Sequence, residues 1–574
     1  MKGFEWLSAP HLKRLMLFFF LALGLRLWGV DFGLPYIYHQ DEAIIVNHGL
    51  RAVSNHLDPD FFVIPGFTLY AAGIAGMFVY VAGLLSGFFH STDDFLVYLL
   101  ADPSAVYIFT RVVLGVIPGV LCVLCAYIIG CTLFNRVSGS KAALLTALAP
   151  ILVQHSHYIY TDSCLALGIF VLFWLIISVN TRTPVSRFVL VGFIWGWSIS
   201  VKYTGLYFLP VILFRYIQIF GADSFKWKPL FKLTSAGLVS VCTFFIFSPY
   251  TLFRWTDFFS TMMRQSGAEH PVGLLHHVKY SLMHGVGLPV LLLAVVGYAL
   301  YLKKSPKDAQ FTGLWISVYY LINAFFSQHF ARYMLPMAPM LCLLGGYGWA
   351  TIRELLGKHK IVLYCANIII LASVLLPSIK SNMLFMSQDT RTVCKEWIKS
   401  NIPSEAGIAF SSRTFAPRLR QTDEQILQKI SKENLADPTP RIKRQLKLIE
   451  AGQGDKPYRT FMISWDHDLD NSDYFSLKPF ITPDINEMLE NGIKYIVIDN
   501  QEFRDETREF LSKNSDNLSR IHSFSPYISD LKKFSVDAYD STSLPHVWTE
   551  LFSRKQSGPY IAVYRIKDSN EYDF

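Results

Sequence analysis

The chain has 574 residues, of which 52% are hydrophobic and only 17% carry a formal charge. Soluble domains have about a quarter of their residues charged, so this composition excludes an ordinary soluble protein over the whole length. The net charge of +8 comes mostly from short stretches between apolar runs. That distribution is typical of membrane topology signals and not of a nucleic-acid surface, so we expect no nucleic-acid partner.

Long apolar runs alternate with short polar connections as far as residue 379. Because a membrane span needs about 20 mainly apolar residues, we predict about eleven spans. A twelfth apolar run, residues 66–88, is predicted not to cross. The predicted spans cover residues 12–30, 106–131, 142–156, 164–180, 188–200, 204–219, 231–248, 287–303, 311–327, 333–349 and 361–377.

The positions of Lys and Arg predict the orientation of these spans. With a cytoplasmic N-terminus, the loops rich in Lys and Arg fall inside and the loops rich in acids fall outside. This alternation requires residues 66–88 to lie within one large outer loop, residues 31–105, because residues 89–105 contain several Asp and no Lys or Arg. The alternative is that residues 66–88 cross the membrane and shift the parity of every later span.

Residues 380–574 have the composition of a soluble domain. The apolar spacing predicts a helix with a Pro stop over DTRTVCKEWIKSNIP and a strand at GIAF. It also predicts a helix, Gly cap and strand over NEMLENGIKYIVIDN, and a last strand at PYIAVYRIK. We therefore predict a transmembrane domain over residues 1–379 and an α/β domain over residues 380–574. Both the α/β domain and the active site are expected on the extracytoplasmic side of a multi-pass protein of the plasma or inner membrane.

Two acidic clusters are candidates for chemistry. Asp41 and Glu42 follow the first span and begin a segment with helical apolar spacing; the alternative is a pair of acids that merely favours a helix N-terminus. Asp162 lies at the mouth of a later span, where an acid is costly and therefore often functional. His155 and His157 precede it, and their spacing does not place both on one helix face, so metal binding remains only an alternative.

Three cations, Arg111, Lys202 and Arg332, fall on the side where the positive-inside rule predicts few. They could be statistical exceptions. Beside the acids, however, they form a set that could hold a phosphate while a carboxylate acts as a base.

Five motifs in chain order resemble a known family. They are HQDEA, the R-x-x-x-G-x-x-P-G stretch from Arg111 to Gly119, HSHYIYTD, SVKYTG and ARYMLP-x-x-P. Over about residues 10–350 the chain resembles the polyprenyl-phosphate-sugar-dependent glycosyltransferases of family 39. That family has the GT-C fold and includes protein O-mannosyltransferases and the lipid A aminoarabinose transferase. The C-terminal region does not resemble the β-trefoil domain of the eukaryotic O-mannosyltransferases, so a protein Ser/Thr acceptor is not favoured.

The resemblance implies a role for each matching residue. Asp41 matches the catalytic acid, Glu42 its partner and Asp162 a second active-site acid. The positions implied at the donor phosphate or substrate are Lys202, Tyr203, Arg332, Tyr333, Arg111, His155, His157 and His39.

We therefore predict an inverting glycosyltransferase of the cell envelope that moves a hexosyl or pentosyl unit from a polyprenyl-phosphate carrier. The acceptor would be a lipid, glycan or protein, and membrane lipid surrounds the enzyme. No cofactor is required by this arrangement, although acidic pairs in related folds can hold a divalent cation. The alternatives are a transporter or flippase of a lipid-linked glycan and a structural assembly protein. Transporters often contain internal repeats, and the two halves of this chain show none, which speaks against a transporter.

Overall fold

A computed structural model describes residues 9–265, 273–326, 330–355, 359–412, 415–432, 455–465, 479–499, 505–529 and 543–567. Within these ranges the chain is helical as far as Asn401 and mixed α/β beyond it. The polytopic α-helical architecture with a C-terminal α/β domain that the sequence predicts is therefore confirmed.

The helices of the first part are separated by short turns and loops. They are α1 Ala9–Leu27, α2 Gln40–Ser54, α3 Gly66–Leu85, α4 Thr92–Ala101, α5 Ser104–Arg111, α6 Ile117–Leu133, α7 Arg136–Leu148, α8 Pro150–His155, α9 Asp162–Ile177, α10 Val185–Val201, α11 Leu209–Phe220, α12 Trp227–Phe247, α13 Tyr250–Phe253, α14 Trp255–Gln265, α15 Leu288–Lys304, α16 Pro306–Phe326, α17 Ala338–Leu355, α18 Lys360–Met386 and α19 Thr390–Asn401. π-Helical segments lie at Val112–Val116 and His277–Gly287, and 3-10 segments lie at Tyr203–Phe208, Gly221–Phe225 and Ala331–Met337.

Seven helical stretches of the described chain are long and apolar enough to cross a membrane, and two shorter apolar helices, Asp162–Ile177 and Val185–Val201, accompany them. The predicted number of about eleven spans is not confirmed. One reason is that the predicted span 142–156 is broken where α7 ends and Pro150 starts α8. Another is that α1 carries three basic residues, Lys13, Arg14 and Arg26.

Small residues let the helices of the first part pack closely. A Cβ at Gly297 of α15 would collide with the backbone carbonyl of Leu344 in α17, and a Cβ at Gly346 of α17 would collide with the backbone of Ala142 in α7. Such close approach is how membrane helices gain van der Waals contact in the absence of a hydrophobic driving force.

Helix α3, which contains most of the apolar run 66–88, contacts the end of α12 and the short helix α5. At its N-terminus, the Gly66 N–H donates to Ser248 Oγ just after α12 at 2.9 Å. Three turns later, Phe78 stacks on Phe109 of α5 with ring centroids 4.6 Å apart. Helix α3 is itself one of the seven stretches long and apolar enough to cross a membrane, so its position along the outer face without crossing stays a prediction.

The C-terminal region forms a single mixed sheet. The strands are β1 Gly407–Phe410, β2 Arg420–Gln421, β3 Pro457–Ile463, β4 Phe480–Ile481, β5 Ile493–Ile498, β6 Leu518–Phe524 and β7 Ile561–Ile566. Their order is β2-β3-β1-β5-β7-β6, with β4 also paired to β3. The pairs among β1–β5 are parallel, and β7 is antiparallel to both β5 and β6. The helices of this region are α20 Asp423–Lys432, α21 Ile485–Glu490, α22 Asp505–Lys513 and α23 Trp548–Ser553.

Local patterns predicted these elements well. The predicted helix appears as α19, and the strand GIAF is β1. The helix, Gly cap and strand are α21, Gly492 with φ +69° and β5. The last predicted strand is β7. Helix α18 runs without interruption through the predicted domain boundary at residues 379 and 380, and the boundary itself stays a prediction.

The C-terminal domain is anchored on the loop that follows α1. The Arg391 guanidinium stacks on the Tyr38 ring, with the guanidinium carbon 3.9 Å from the ring centroid. The Tyr38 hydroxyl hydrogen-bonds Thr392 Oγ1 at 2.7 Å. Burial raises the pKa of Tyr38, and the nearby carboxylate of Asp389 adds to the effect. These contacts fix the domain directly beside the start of α2.

Candidate active site

Helix α2 separates the two adjacent acids at its start. His39 is the N-cap, and its Nδ1 accepts a hydrogen bond from the Asp41 N–H at 3.2 Å. Consecutive helical side chains point about 100° apart, so Asp41 and Glu42 face different surroundings. The Asp41 side chain is 29% exposed, whereas that of Glu42 is 0% exposed.

Glu42 forms a buried ion pair with Arg111 of α5. Arg111 Nε donates to Glu42 Oε1 at 2.8 Å and Nη2 donates to Oε2 at 2.7 Å. The Ile159 N–H donates to Oε1 at 3.1 Å. Arg111 Nη1 donates to the carbonyls of Val30 at 2.7 Å and Phe32 at 3.0 Å. Because both charges are satisfied by several hydrogen bonds, this pair ties together four separate stretches of chain.

Asp41 instead forms an ion pair with Arg332. Arg332 Nη1 lies 3.0 Å from Asp41 Oδ2, and the Arg332 side chain is 12% exposed. The guanidinium carbon is 4.8 Å from the Tyr160 ring centroid and 4.6 Å from that of Phe330. Aromatic faces therefore hold the cation beside the carboxylate that solvent can reach.

A second acid–cation pair lies next to the first. Lys202 Nζ is 2.7 Å from Asp162 Oδ1, with side-chain exposures of 18% and 3%. Thr161 Oγ1 donates to Asp162 Oδ2 at 3.3 Å. Lys202 Nζ also lies 4.3 Å from the Tyr333 ring centroid. Since Tyr333 follows Arg332 in the 3-10 segment Ala331–Met337, that segment brings the two pairs together.

The break between α10 and the next 3-10 segment positions Lys202. Lys202 is the C-cap of α10, with φ −153° and ψ 132°, and this extended backbone turns its side chain towards the start of α9. The following residue, Tyr203, donates from its hydroxyl to the Phe62 carbonyl at 3.1 Å. The SVKYTG motif thus forms a turn that presents a cation, as a phosphate-binding role would require.

His155 and His157 are buried in contacts with protein groups. His155 Nε2 lies 2.9 Å from His546 Nε2 of the C-terminal domain. The two ring nitrogens of His157 lie 2.9 Å from the Val153 carbonyl and 3.0 Å from the Trp28 carbonyl. This placement favours a structural role for both over the substrate contact that the motif implies.

Three side chains at the site were not singled out from the sequence. Tyr160 lies against both His39 and Arg332, and it could have been found because it belongs to the HSHYIYTD motif. Ser543 and His546 reach the site from the C-terminal domain. No sequence signal connects them to residues almost four hundred positions earlier. Among the described residues, no group of three or more His, Cys, Asp and Glu side chains is arranged to hold a metal ion.

A family model described as dolichyl-phosphate-mannose-protein mannosyltransferase matches residues 95–253. No curated protein matches the chain. The matched range contains these members of the candidate site: Arg111, His155, His157, Asp162, Lys202 and Tyr203.

Solved structures resemble the chain over most of its length. ArnT from Cupriavidus metallidurans in the apo state matches with TM-score 0.51 and 12% identity, over 88% of this chain and 95% of that chain. The same protein bound to undecaprenyl phosphate matches with TM-score 0.51 and 11% identity, over 97% of this chain and 98% of that chain. The Archaeoglobus fulgidus oligosaccharyltransferase tethered to an acceptor peptide gives TM-score 0.49 and 12% identity, over 91% and 73% of the two chains.

The chain has the GT-C fold. The resemblance to polyprenyl-phosphate-sugar-dependent glycosyltransferases that the five motifs predict is thereby confirmed. In this fold both acid–cation pairs lie at or next to the ends of helical segments.

Proposed function

We propose that the chain is an inverting glycosyltransferase that moves a hexosyl or pentosyl unit from a polyprenyl-phosphate carrier to a lipid, glycan or protein acceptor. The observation that carries the proposal is the pairing of a partly exposed acid, Asp41, with Arg332, directly beside the pair Asp162–Lys202. The similarity to an ArnT structure bound to undecaprenyl phosphate supports the choice of carrier.

In this proposal the reaction is one displacement at the sugar C1. The acceptor oxygen attacks C1 on the face opposite the phosphate, its proton passes to Asp41, and the bond from C1 to the phosphate oxygen breaks. The polyprenyl phosphate leaves with the bonding electrons. Lys202 and Arg332 stabilise its charge and replace the general acid that a glycosidase needs.

The pairing of Asp41 with Arg332 gives donor binding a second effect. In the ion pair, the Asp41 carboxylate oxygen lies 3.0 Å from the Arg332 guanidinium, so the cation occupies the position that an acceptor hydroxyl would need. A donor phosphate competes for Arg332 through charge-assisted hydrogen bonds. Binding of the donor phosphate therefore draws Arg332 away and makes Asp41 available to accept the proton.

The buried members of the predicted site receive different roles in this proposal. Glu42 and Arg111 hold the start of α2 in place and do not contact substrate, because their contacts with each other are fully buried. His155 and His157 fix the stretch before Asp162.

We further propose that the site and the C-terminal domain share the extracytoplasmic side. The test uses single cysteines labelled with a membrane-impermeant maleimide, in a background without the exposed Cys242 and Cys365. Ser91→Cys and Ser404→Cys should be labelled in intact cells, and Arg182→Cys only after permeabilisation. Labelling of Ser91→Cys and Ser404→Cys from opposite sides would mean that residues 66–88 cross.

The function itself is tested by mass spectrometry of outer-surface lipids and glycans. Cells that carry the wild-type protein should contain a sugar modification that is missing with Asp41→Asn. Asp257→Asn is the matched control, since Asp257 also pairs with an arginine, Arg254, at 2.6 Å, and this arginine pairs with Asp58 and Asp60. Identical glycans and lipids in all cells would contradict the proposal. An altered distribution of the lipid-linked sugar across the membrane, with no new covalent product, would favour the transporter.

A further inference from the structure

A short stretch of the C-terminal domain, residues 543–546, contacts the wall of the candidate site; we call it the clip. The clip runs beside the stretch that precedes α9. The Leu544 N–H donates to Tyr158 Oη at 3.0 Å, and the Gln154 side chain donates to the Leu544 carbonyl. The neighbouring contact is the one between His546 and His155. The clip is thus bound along its length by buried polar contacts.

The first residue of the clip connects to the start of α2 through two side chains. Ser543 Oγ lies 2.9 Å from Tyr160 Oη, and Tyr160 Oη lies 2.6 Å from His39 Nε2. His39 Nδ1 accepts from the Asp41 N–H at 3.2 Å. Because Nδ1 is an acceptor, the neutral ring carries its proton on Nε2 and donates it to Tyr160 Oη. The Tyr160 hydroxyl can then donate to Ser543.

Tyr160 also contacts the cation that pairs with the Asp41 side chain. Its ring supports the guanidinium of Arg332, which pairs with the Asp41 carboxylate. One buried tyrosine therefore contacts the group that holds the Asp41 backbone and the group that holds its side chain. A change in the position of Tyr160 alters both contacts at once.

We propose that Tyr160 and Ser543 are positioning residues for Asp41, and that the clip makes transfer in the membrane domain depend on the C-terminal domain. This inference rests on the proposed role of Asp41 as the base. The clip contributes no reacting group. It keeps His39 in the tautomer that caps α2, and so keeps Asp41 within the narrow geometry that proton transfer requires.

The first test is hydrogen exchange of the full-length protein in lipid nanodiscs, read on the peptide that contains the start of α2. Tyr160→Phe removes only the hydroxyl, so exchange at the Asp41 amide should rise by about 3- to 10-fold. Ser543→Ala should give a smaller rise, and Ser543→Thr, which keeps the hydroxyl, should restore the wild-type rate. Tyr158→Phe is the matched control, because it removes a hydroxyl that bonds the clip at Leu544 instead of at Ser543. Unchanged exchange in Tyr160→Phe, or an equal rise in Tyr158→Phe, overturns the proposal.

The second test is turnover with a panel of undecaprenyl- and dolichyl-phosphate sugars. In Tyr160→Phe, kcat should fall about tenfold while the KM for the donor changes little, because alignment of the base and not donor binding is lost. The double variant Tyr160→Phe/Ser543→Ala should be no slower than Tyr160→Phe alone, since Ser543 acts through Tyr160. Additive losses, or raised exchange with an unchanged kcat, contradict the positioning role.

The two tests separate failure of this inference from failure of the proposed function. Exchange at the start of α2 reports the hydrogen-bonded connection whatever the donor is. Full transfer by Asp41→Asn would remove the base assignment and with it the positioning role, even if the exchange results were as expected.

Discussion

Replacing each of the two adjacent acids of α2 by its amide should have different effects: Glu42→Gln should lower the stability of the fold, and Asp41→Asn should lower the rate of transfer. Replacing Glu42 by Gln keeps the size of the side chain and removes its charge. The carboxylate of Glu42 accepts hydrogen bonds from Arg111 Nε, Arg111 Nη2 and the Ile159 N–H. The single side-chain oxygen of a glutamine can accept hydrogen bonds from only some of these three N–H groups, and its own amide N–H groups would face the remaining N–H donors. Glu42→Gln should therefore destabilise the fold.

The size of the effect follows from the burial of the pair. Breaking a buried ion pair by removing one partner costs about 3–5 kcal/mol. Arg111 keeps its hydrogen bonds to the Val30 and Phe32 carbonyls and its contact with the Phe32 ring at 4.0 Å. These remaining contacts place the expected cost near the lower end, about 3 kcal/mol, which is roughly a 100-fold change in the ratio of folded to unfolded protein.

The assay is reversible unfolding in mixed micelles with increasing SDS, followed by tryptophan fluorescence. Glu42→Gln should unfold at a clearly lower SDS fraction than Asp41→Asn, and its folded fraction should keep most of its transfer activity. In the double variant Glu42→Gln/Arg111→Gln the loss should be smaller than the sum of the two single losses, because the partners are coupled. Equal stability of Glu42→Gln and wild type, together with lost turnover, would refute the structural role of Glu42.

Three further outcomes are expected. Lys202→Met should weaken binding of undecaprenyl phosphate about 10- to 100-fold in a direct binding assay, because it removes a charge-assisted contact. The control Lys304→Met, at an exposed helix end, should leave binding unchanged. Equal binding by the two variants would contradict the phosphate-binding role of Lys202. Treatment with EDTA should leave transfer within about twofold if Lys202 and Arg332 supply the charge at the phosphate, and a loss that Mg²⁺ or Mn²⁺ restores would contradict it. In the C-terminal domain, burial opposes ionisation of Asp455, but hydrogen bonds from Lys395 and Lys399 outweigh it and lower the pKa of the carboxyl. The resulting stabilisation should be present above the ordinary pKa of 3.8 and lost as the pH falls through the lower native value; acid titration of Asp455→Asn should lack this loss, and an identical acid transition in both proteins would contradict it.

Local periodicity predicted much of the fold. The helix, Gly cap and strand around Gly492 need only neighbours in sequence to form, and they appear as expected. The number of spans was less predictable, because hydropathy does not show where a helix breaks. The break between Leu148 and Pro150 illustrates this, since the apolar run continues through it.

The site was predictable in its composition but not in its pairings. The motifs pointed to Asp41, Asp162, Lys202 and Arg332, and the structure brings these residues into two neighbouring ion pairs. Glu42 is buried against Arg111, which is 69 positions away in the sequence. His155 contacts His546, which is 391 positions away. Only the three-dimensional fold determines such long-range contacts, so sequence spacing alone could not assign them.

The most direct measurement is single-turnover transfer by purified Asp41→Asn from a polyprenyl-phosphate sugar, beside its equilibrium binding of undecaprenyl phosphate. The substitution removes the proposed base, so the transfer rate should fall by about 10²–10⁴. It also releases Arg332 from the 3.0 Å ion pair, so undecaprenyl phosphate should bind as tightly as before or more tightly. Transfer at the wild-type rate would contradict the central claim and move the base to Asp162.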